Sequence, residues 1–172
     1  MVHKPSLESP EAFSERHRLY FYMLRILLER ASWVCRDSRS VRDRSLGDGT
    51  ANVIFSNRND ISYQEVANYF NRLERLETTI DFNVIRPGQF QALTNGKKSG
   101  LQVADAIASA YFCAEHTFLR RRNHEYAQAL GPTLYRHCGK AWGYGLKFFP
   151  PSVEKQAAHG TIAPWAAIFQ SM

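Results

Sequence analysis

NVIFSNRNDISYQEVANYFNRLERLETTIDFNVIR, residues 52–86, decides the fold, because it sets a short apolar run, an amphipathic helix and an alternating run one after another. Residues 52–55 read as a strand. Ser62 stands at a helix cap, Glu65 closes the capping box, and Ile61 with Val66 forms a hydrophobic staple, so a helix is expected over 62–77. Its core face is Tyr63, Val66, Tyr69 or Phe70, Leu73 and Leu76. Ile80, Phe82 and Val84 then alternate with Thr79, Asp81 and Asn83, which predicts a second strand over 79–85, ended by Pro87-Gly88. Residues 90–98 read as a loop leading to a further helix. Strand, helix, strand, helix implies parallel strands joined by a right-handed crossover. The expected fold class is therefore α/β, a β-α-β-α unit with extra helices.

The helix after that loop, SGLQVADAIASAYF at 99–112, has Ser99 as its cap and Gln102 completing a second capping box. Asp105 falls about a turn and a half inside. Leu101, Val103, Ala104, Ile107, Ala108, Tyr111 and Phe112 leave almost no polar face, which predicts burial on several sides. An ionised carboxylate buried there needs an arginine, hydrogen-bond donors or a metal beside it. A structural ion pair and a functional acid stay equally open on these residues. Ligand sites of open α/β sheets lie beyond the carboxyl ends of the strands. Ser56, Asn57 and Arg58 after the first strand and Arg86 after the second are therefore expected to face one crevice that Asp105 also enters. Lys97 and Lys98, beside the amides that open the helix, suit phosphate. Asn95-Gly96-Lys97-Lys98-Ser99 is no P-loop, because Gln91 stands where the first glycine is required.

Around this centre, Leu19, Tyr22, Met23, Ile26, Leu27 and Trp33 mark an amphipathic helix over 13–35, preceded by a polar loop. Residues 36–50 read as an exposed loop whose Arg36, Arg39, Arg42 and Arg44 are balanced by Asp37, Asp43 and Asp48. Glu115 and His116 lie about three turns past Asp105, too far to share a metal with it. Arg120, Arg121 and Arg122 offset the carbonyl end of that helix. Residues 124–140 read as a helix interrupted near Gly131-Pro132, and WGYGLKFF, 142–149, as an edge strand or an aromatic surface for stacking bases. Trp165, Ile168 and Phe169 suit a packing segment or a partner contact. The organisation expected is one domain over 1–150 with a tail over 151–172.

Composition narrows the function classes. The chain has 172 residues, 44% of them hydrophobic, enough for one domain with a core. A formal charge of +6 and a pI near 9.4 favour an anionic partner, nucleic acid first. Cys35, Cys113 and Cys138 are odd in number and lack C-x-x-C spacing, which points away from disulfides and zinc and toward a reducing cytoplasm. No segment is apolar and long enough to enter a membrane. G-x-S-x-G and H-E-x-x-H are both missing, so hydrolase triads and zinc proteases are not indicated.

S-G-L-Q-V-A-D-A-I-A-S-A, 99–110, resembles the C-terminal signature of the bacterial and phage family called domain of unknown function 3800, whose members have a ribonuclease-H-like fold. Val53-Ile54-Phe55 before a polar turn, the helix over 62–77, the strand around 80–85 and Gly143-Tyr144-Gly145-Leu146-Lys147 followed by Pro150 are similar to that family in the same order. About residues 15–150 lie on its C-terminal half. The resemblance implies that Asp105 belongs to a metal-binding acidic cluster, with Mg²⁺ or Mn²⁺ as the cofactor of an active member. The acidic D-E-S-G strand that opens the family is absent, and Ser56 and Asn57 stand where many relatives carry Asp or Glu. Asp60 and Asp81 are the nearest other carboxylates.

Two functions follow from these readings. One is a ribonuclease-H-like, divalent-metal-dependent phosphodiester hydrolase with a depleted acidic site, Asp105 being catalytic residue and metal ligand. The other is a catalytically inactive half-domain that binds nucleic acid or a protein. Arg58, Arg86, Lys97 and Lys98 are the nucleic-acid contacts in both. Because two strands make a poor sheet, a second copy or a partner chain is expected to supply the missing strands.

Overall fold

The computed structural model describes residues 1–2, 6–7, 10–38, 49–57, 60–76, 78–115, 124–159 and 164–170. Of the loop expected over 36–50, residues 36–38 are helical and 39–48 lie outside the described residues, as do Arg58, His116 and the three arginines Arg120, Arg121 and Arg122. The chain divides into two compact units, Pro10–Leu101 and Gln102–Met172 with Met1–Ser9. Its class is mixed α/β, mostly helical, with a small parallel sheet.

In the unit Pro10–Leu101, a 3₁₀ turn at Pro10–Phe13 leads into α1, Arg18–Ser38. Leu24, Leu28 and Ser32 recur every four residues along its buried stripe. The strand β1, Ile54–Ser56, is followed by α2, Tyr63–Glu74. The start of α2 is the expected one: Ser62 is extended, its hydroxyl accepts from Glu65 N–H at 3.4 Å, and Ile61 and Val66 are both buried. Of the two residues left open on its core face, Phe70 is the fully buried one. The helix ends earlier than expected, where Arg75 N–H bonds to the carbonyls of Arg72 and Leu73. Leu76 therefore leaves the apolar stripe and is 63% exposed.

The second strand is not at 79–85. Asp81 captures that segment, its carboxylate accepting from Asn83 N–H at 3.0 Å and its carbonyl from Val84 and Ile85 N–H at 3.1 Å each. A short acid that bonds to the backbone beside it offers the chain a turn in place of a ladder. Ile80, Val84 and Ile85 are still buried, and an isolated parallel bridge from Ile85 to Ala51 is what strand pairing remains there. The partner of β1 is β2, Gln91–Leu93, in a stretch expected to be loop. Ile54 pairs with Gln91, Phe55 with Ala92 and Ser56 with Leu93. Three residues are too few to show a period of two, which is why β2 carries no legible pattern. Parallel strands joined through a helix are thus retained, with the second strand displaced. The core gathers Val66, Phe70 and Leu73 of α2, Leu24 and Leu28 of α1, and Ile80, Val84 and Ile85.

Helix α3, Ser99–Glu115, begins one residue earlier than a Ser99 cap requires. Lys98 is extended and its carbonyl accepts from Leu101 N–H at 3.0 Å. The expected burial is overturned: residues 102–109 are exposed, Val103 at 57% and Ile107 at 40%. Alanine favours helix in any environment, so an alanine-rich run reports helix propensity and not burial.

In the other unit, α4, Glu125–Ala129, stops short of the helix expected over 124–140, and Gly131–Thr133 forms a 3₁₀ turn. Proline lacks the N–H that a continuing helix would use. His137 and Lys140 then exchange backbone hydrogen bonds across Cys138 and Gly139, both at positive φ, as in a tight hairpin turn. Residues 142–146 form a turn in place of an edge strand: Gly143, at φ +80°, donates to Leu146, while Tyr144 and Leu146 donate to Ala141; Phe149 makes an isolated parallel bridge to Val2. Helix α5, Pro151–Ala158, and a 3₁₀ helix at Pro164–Gln170 follow. They are packing segments: Val153, Ala157, Trp165, Ala166 and Phe169 join Ala114, Ala127, Leu146 and Phe148 in one core. Trp165 Nε1 donates to Glu115 at 3.1 Å, and Trp142 stacks on Phe148 at 5.5 Å.

Candidate functional site

Parallel pairing of β1 and β2 brings their carboxyl ends side by side, about 4.8 Å apart. Asn57 N–H donates to Leu93 O at 2.8 Å, so the register holds as the strands end. Ser56 and Asn57 leave β1 exposed; Thr94 leaves β2 exposed, and a 3₁₀ turn at Asn95–Lys97 carries the chain to exposed Lys97 and Lys98. The result is a polar rim with two ammonium groups at the end of the sheet where α/β proteins hold ligands.

Arg86 does not join that rim. Because the second strand lies at Gln91–Leu93, Arg86 precedes it, next to the Ala51–Ile85 bridge at the amino end of the parallel pair. The expectation that Arg86 follows the second strand rested on the strand at 79–85, which Asp81 turns aside.

Asp105 belongs to the other unit. It is exposed, and among the described residues it has no hydrogen bond or ion pair. Its neighbours one turn away on α3 are Leu101, Gln102, Ala108 and Ser109, none of them acidic. Asp81 uses its carboxylate in the turn at Asn83. Among the described residues no three His, Cys, Asp or Glu side chains are grouped to hold a metal ion. A divalent ion bound by protein wants several oxygens, carboxylates first. The donor set described around Asp105 therefore does not fit the acidic cluster implied by resemblance.

A group that sequence reading passed over lies on α1 and α2. The phenol of Tyr69 feels the charges of Arg25 and Arg72 and the phenol of Tyr22. Burial of the half-buried ring raises the Tyr69 phenol above its ordinary range, with Arg25 the main opposing influence. Phe21 stacks on Tyr69 at 5.5 Å. The available signal was the repetition of Tyr-x-x-Arg, Tyr22 to Arg25 and Tyr69 to Arg72, each pair one helical turn apart.

Among the described residues of the unit Pro10–Leu101 the ion pairs use other cations: Arg18 with Glu15 at 3.4 Å, Arg30 with Glu29 at 3.6 Å and Arg36 with Asp37 at 3.0 Å. Among the described residues Arg25, Arg72, Arg86, Lys97 and Lys98 form none. No helix among the described residues is long and apolar enough to cross a membrane.

No protein-family model matches the chain, and neither a curated protein nor a solved structure does.

Proposed function

We propose that the chain binds the phosphate backbone of nucleic acid at the carboxyl ends of β1 and β2, as a module that holds its partner without cleaving it. The observation that carries this reading is the placement of Lys97 and Lys98, exposed and without an ion pair among the described residues, just past the end of a strand whose parallel partner ends alongside. Each lysine that neutralises a phosphate releases a condensed counterion, which makes binding favourable and salt-dependent without reading sequence. Ser56, Asn57 and Thr94 add short polar groups suited to phosphate oxygens. The formal charge of +6 supplies long-range attraction. The resemblance to the ribonuclease-H-like family supports the same class of partner, with the chemistry reduced to binding. Each strand of the described two-stranded sheet has one side unpaired, and we assign to that edge a second copy or a partner chain supplying further strands.

Fluorescence anisotropy with labelled single- and double-stranded DNA and RNA tests the reading across a salt series. Lys97→Ala with Lys98→Ala lowers the slope of log K against log salt for duplex DNA by about 1.8, from about 0.9 per phosphate contact. Absence of binding by the native chain refutes the proposal. Parallel incubations with Mg²⁺ or Mn²⁺ score cleavage; metal-dependent cutting that Asp105→Asn abolishes replaces it with the hydrolase reading.

A further inference from the structure

We infer that the rim at the carboxyl ends of β1 and β2 takes single-stranded nucleic acid, the ring of Tyr63 being the surface on which a base of the bound strand stacks. The inference rests on the nucleic-acid reading and deepens it, adding to the backbone contacts a preference for one form of strand. Tyr63 is the first residue of α2, and its hydroxyl reaches back to donate to Ser56 O at 2.6 Å, an exposed bond at the last residue of β1. Ser56 pairs with Leu93, and Asn57 N–H donates to Leu93 O at 2.8 Å. The phenol hydroxyl therefore stands at the end of the sheet from which the chain runs on through Thr94 to Lys97 and Lys98. The ring is held from one side by a row of aromatics: Phe55 lies 5.5 Å from it, Phe90 lies 5.5 Å from Phe55, and fully buried Phe70 lies 5.5 Å from Phe90. Tyr63 itself is partly exposed. A ring fixed both at its hydroxyl and along the Phe55 side has little freedom left to lose when a base settles on it. Bases in a duplex are stacked on one another and offer a protein only their edges, whereas the unpaired bases of a single strand have faces free for an aromatic side chain. Cations that follow the backbone beside an aromatic platform are what single-strand binding requires, and Lys97, Lys98 and Tyr63 supply both parts at one end of the sheet.

The bland alternative gives Tyr63 only the task of tying the start of α2 to the end of β1. Fluorescence anisotropy on Tyr63→Leu and Tyr63→Phe, with labelled single strands and duplexes across a salt series, separates the two. Tyr63→Leu is expected to weaken single-strand binding about 10-fold while duplex binding changes less than about twofold, and the salt slope stays native because stacking releases no counterions. Tyr63→Phe, which keeps the ring and loses the bond to Ser56, is expected to hold single-strand affinity within about threefold of native. Thermal melting accompanies each variant. If Tyr63→Leu fails to fold, the native chain decides: tighter binding of the single strand than of the duplex at equal salt is expected, and equal or tighter duplex binding overturns the inference. A loss on single strands in Tyr63→Leu no larger than that on duplexes also overturns it, while native binding, and its weakening in the Lys97 and Lys98 variant, leaves the nucleic-acid reading standing. No binding by the native chain overturns both.

Discussion

Ser32→Ala tests how the segment that replaces the expected second strand is held. Ser32 is fully buried on α1; its hydroxyl donates to Glu29 O at 2.6 Å and accepts from Asp81 N–H at 3.1 Å. The first bond lies within the helix. The second ties the helix to a turn that follows much later in the chain, beside the bond from Trp33 Nε1 to Thr79 O at 2.8 Å and the hydrogen bond from the Thr79 hydroxyl to Glu29. Removing the hydroxyl strands the amide of Asp81, which costs about 1–3 kcal/mol. Alanine is the better helix former and returns about 0.5 kcal/mol. The expected net loss is about 0.5–2.5 kcal/mol. Ser38→Ala is the control, because the Ser38 hydroxyl is exposed and donates only within its own helix, to Val34 O at 2.7 Å; it stays within about 0.5 kcal/mol of native. Amide exchange across residues 79–85 is the assay of choice, since two compact units need not unfold together and a local opening free energy is read without assuming that they do. Loss of protection at Asp81 in Ser32→Ala, and not in Ser38→Ala, is expected. Equal protection in both variants refutes the argument that Ser32 docks the turn.

Four further outcomes are expected. Ser62→Ala removes a cap bond that is long at 3.4 Å, so urea denaturation should show a loss near the lower end of the usual range, about 0.5–1 kcal/mol. Gly145→Ala places a Cβ 2.4 Å from Tyr135 O and 2.7 Å from Tyr135 N, so that backbone must move and thermal melting should fall by the equivalent of about 1–3 kcal/mol. Asp105→Asn alters an exposed group without a partner among the described residues and should shift stability by less than about 0.5 kcal/mol; a large loss shows that the carboxylate is engaged. Burial raises the phenols of both Tyr69 and Tyr111, so each favours the folded state in its neutral form. Their contribution is whole below the ordinary phenol value of about 10 and is lost as pH rises through the raised folded values. Stability should therefore fall with rising pH above that range, and Tyr69→Phe with Tyr111→Phe should flatten the fall measured by alkaline denaturation.

Elements whose start or spacing is written in local chemistry were legible in the sequence. Ser62, Glu65, Ile61 and Val66 announce α2 because a cap and a staple are interactions between neighbours in the chain. The helix α1 was legible too, but not its buried face: Leu19, Tyr22, Met23, Ile26, Leu27 and Trp33 were the expected stripe, whereas Leu24, Leu28 and Ser32 are buried and Leu27 is 63% exposed. The order strand, helix, strand, helix could be read at the same level, although the second strand was placed at 79–85 and β2 at Gln91–Leu93 was read as loop.

What the tertiary structure alone decided is which apolar run pairs and which helix is covered. Ile80, Phe82 and Val84 carry the alternation of a strand, yet Asp81 folds them into a turn that Ser32 accepts from α1, while the three residues Gln91–Leu93 take the place beside β1. That exchange moves Arg86 to the amino end of the pair and so separates it from Lys97 and Lys98. Asp105 lies on an exposed face because alanines and isolated aliphatics make a good helix whether or not anything packs on it. The stack of Phe21 on Tyr69 exists only once two distant helices meet. Contacts between neighbours in sequence are encoded locally; contacts across the fold depend on which of several apolar segments wins the core, and no single segment contains that competition.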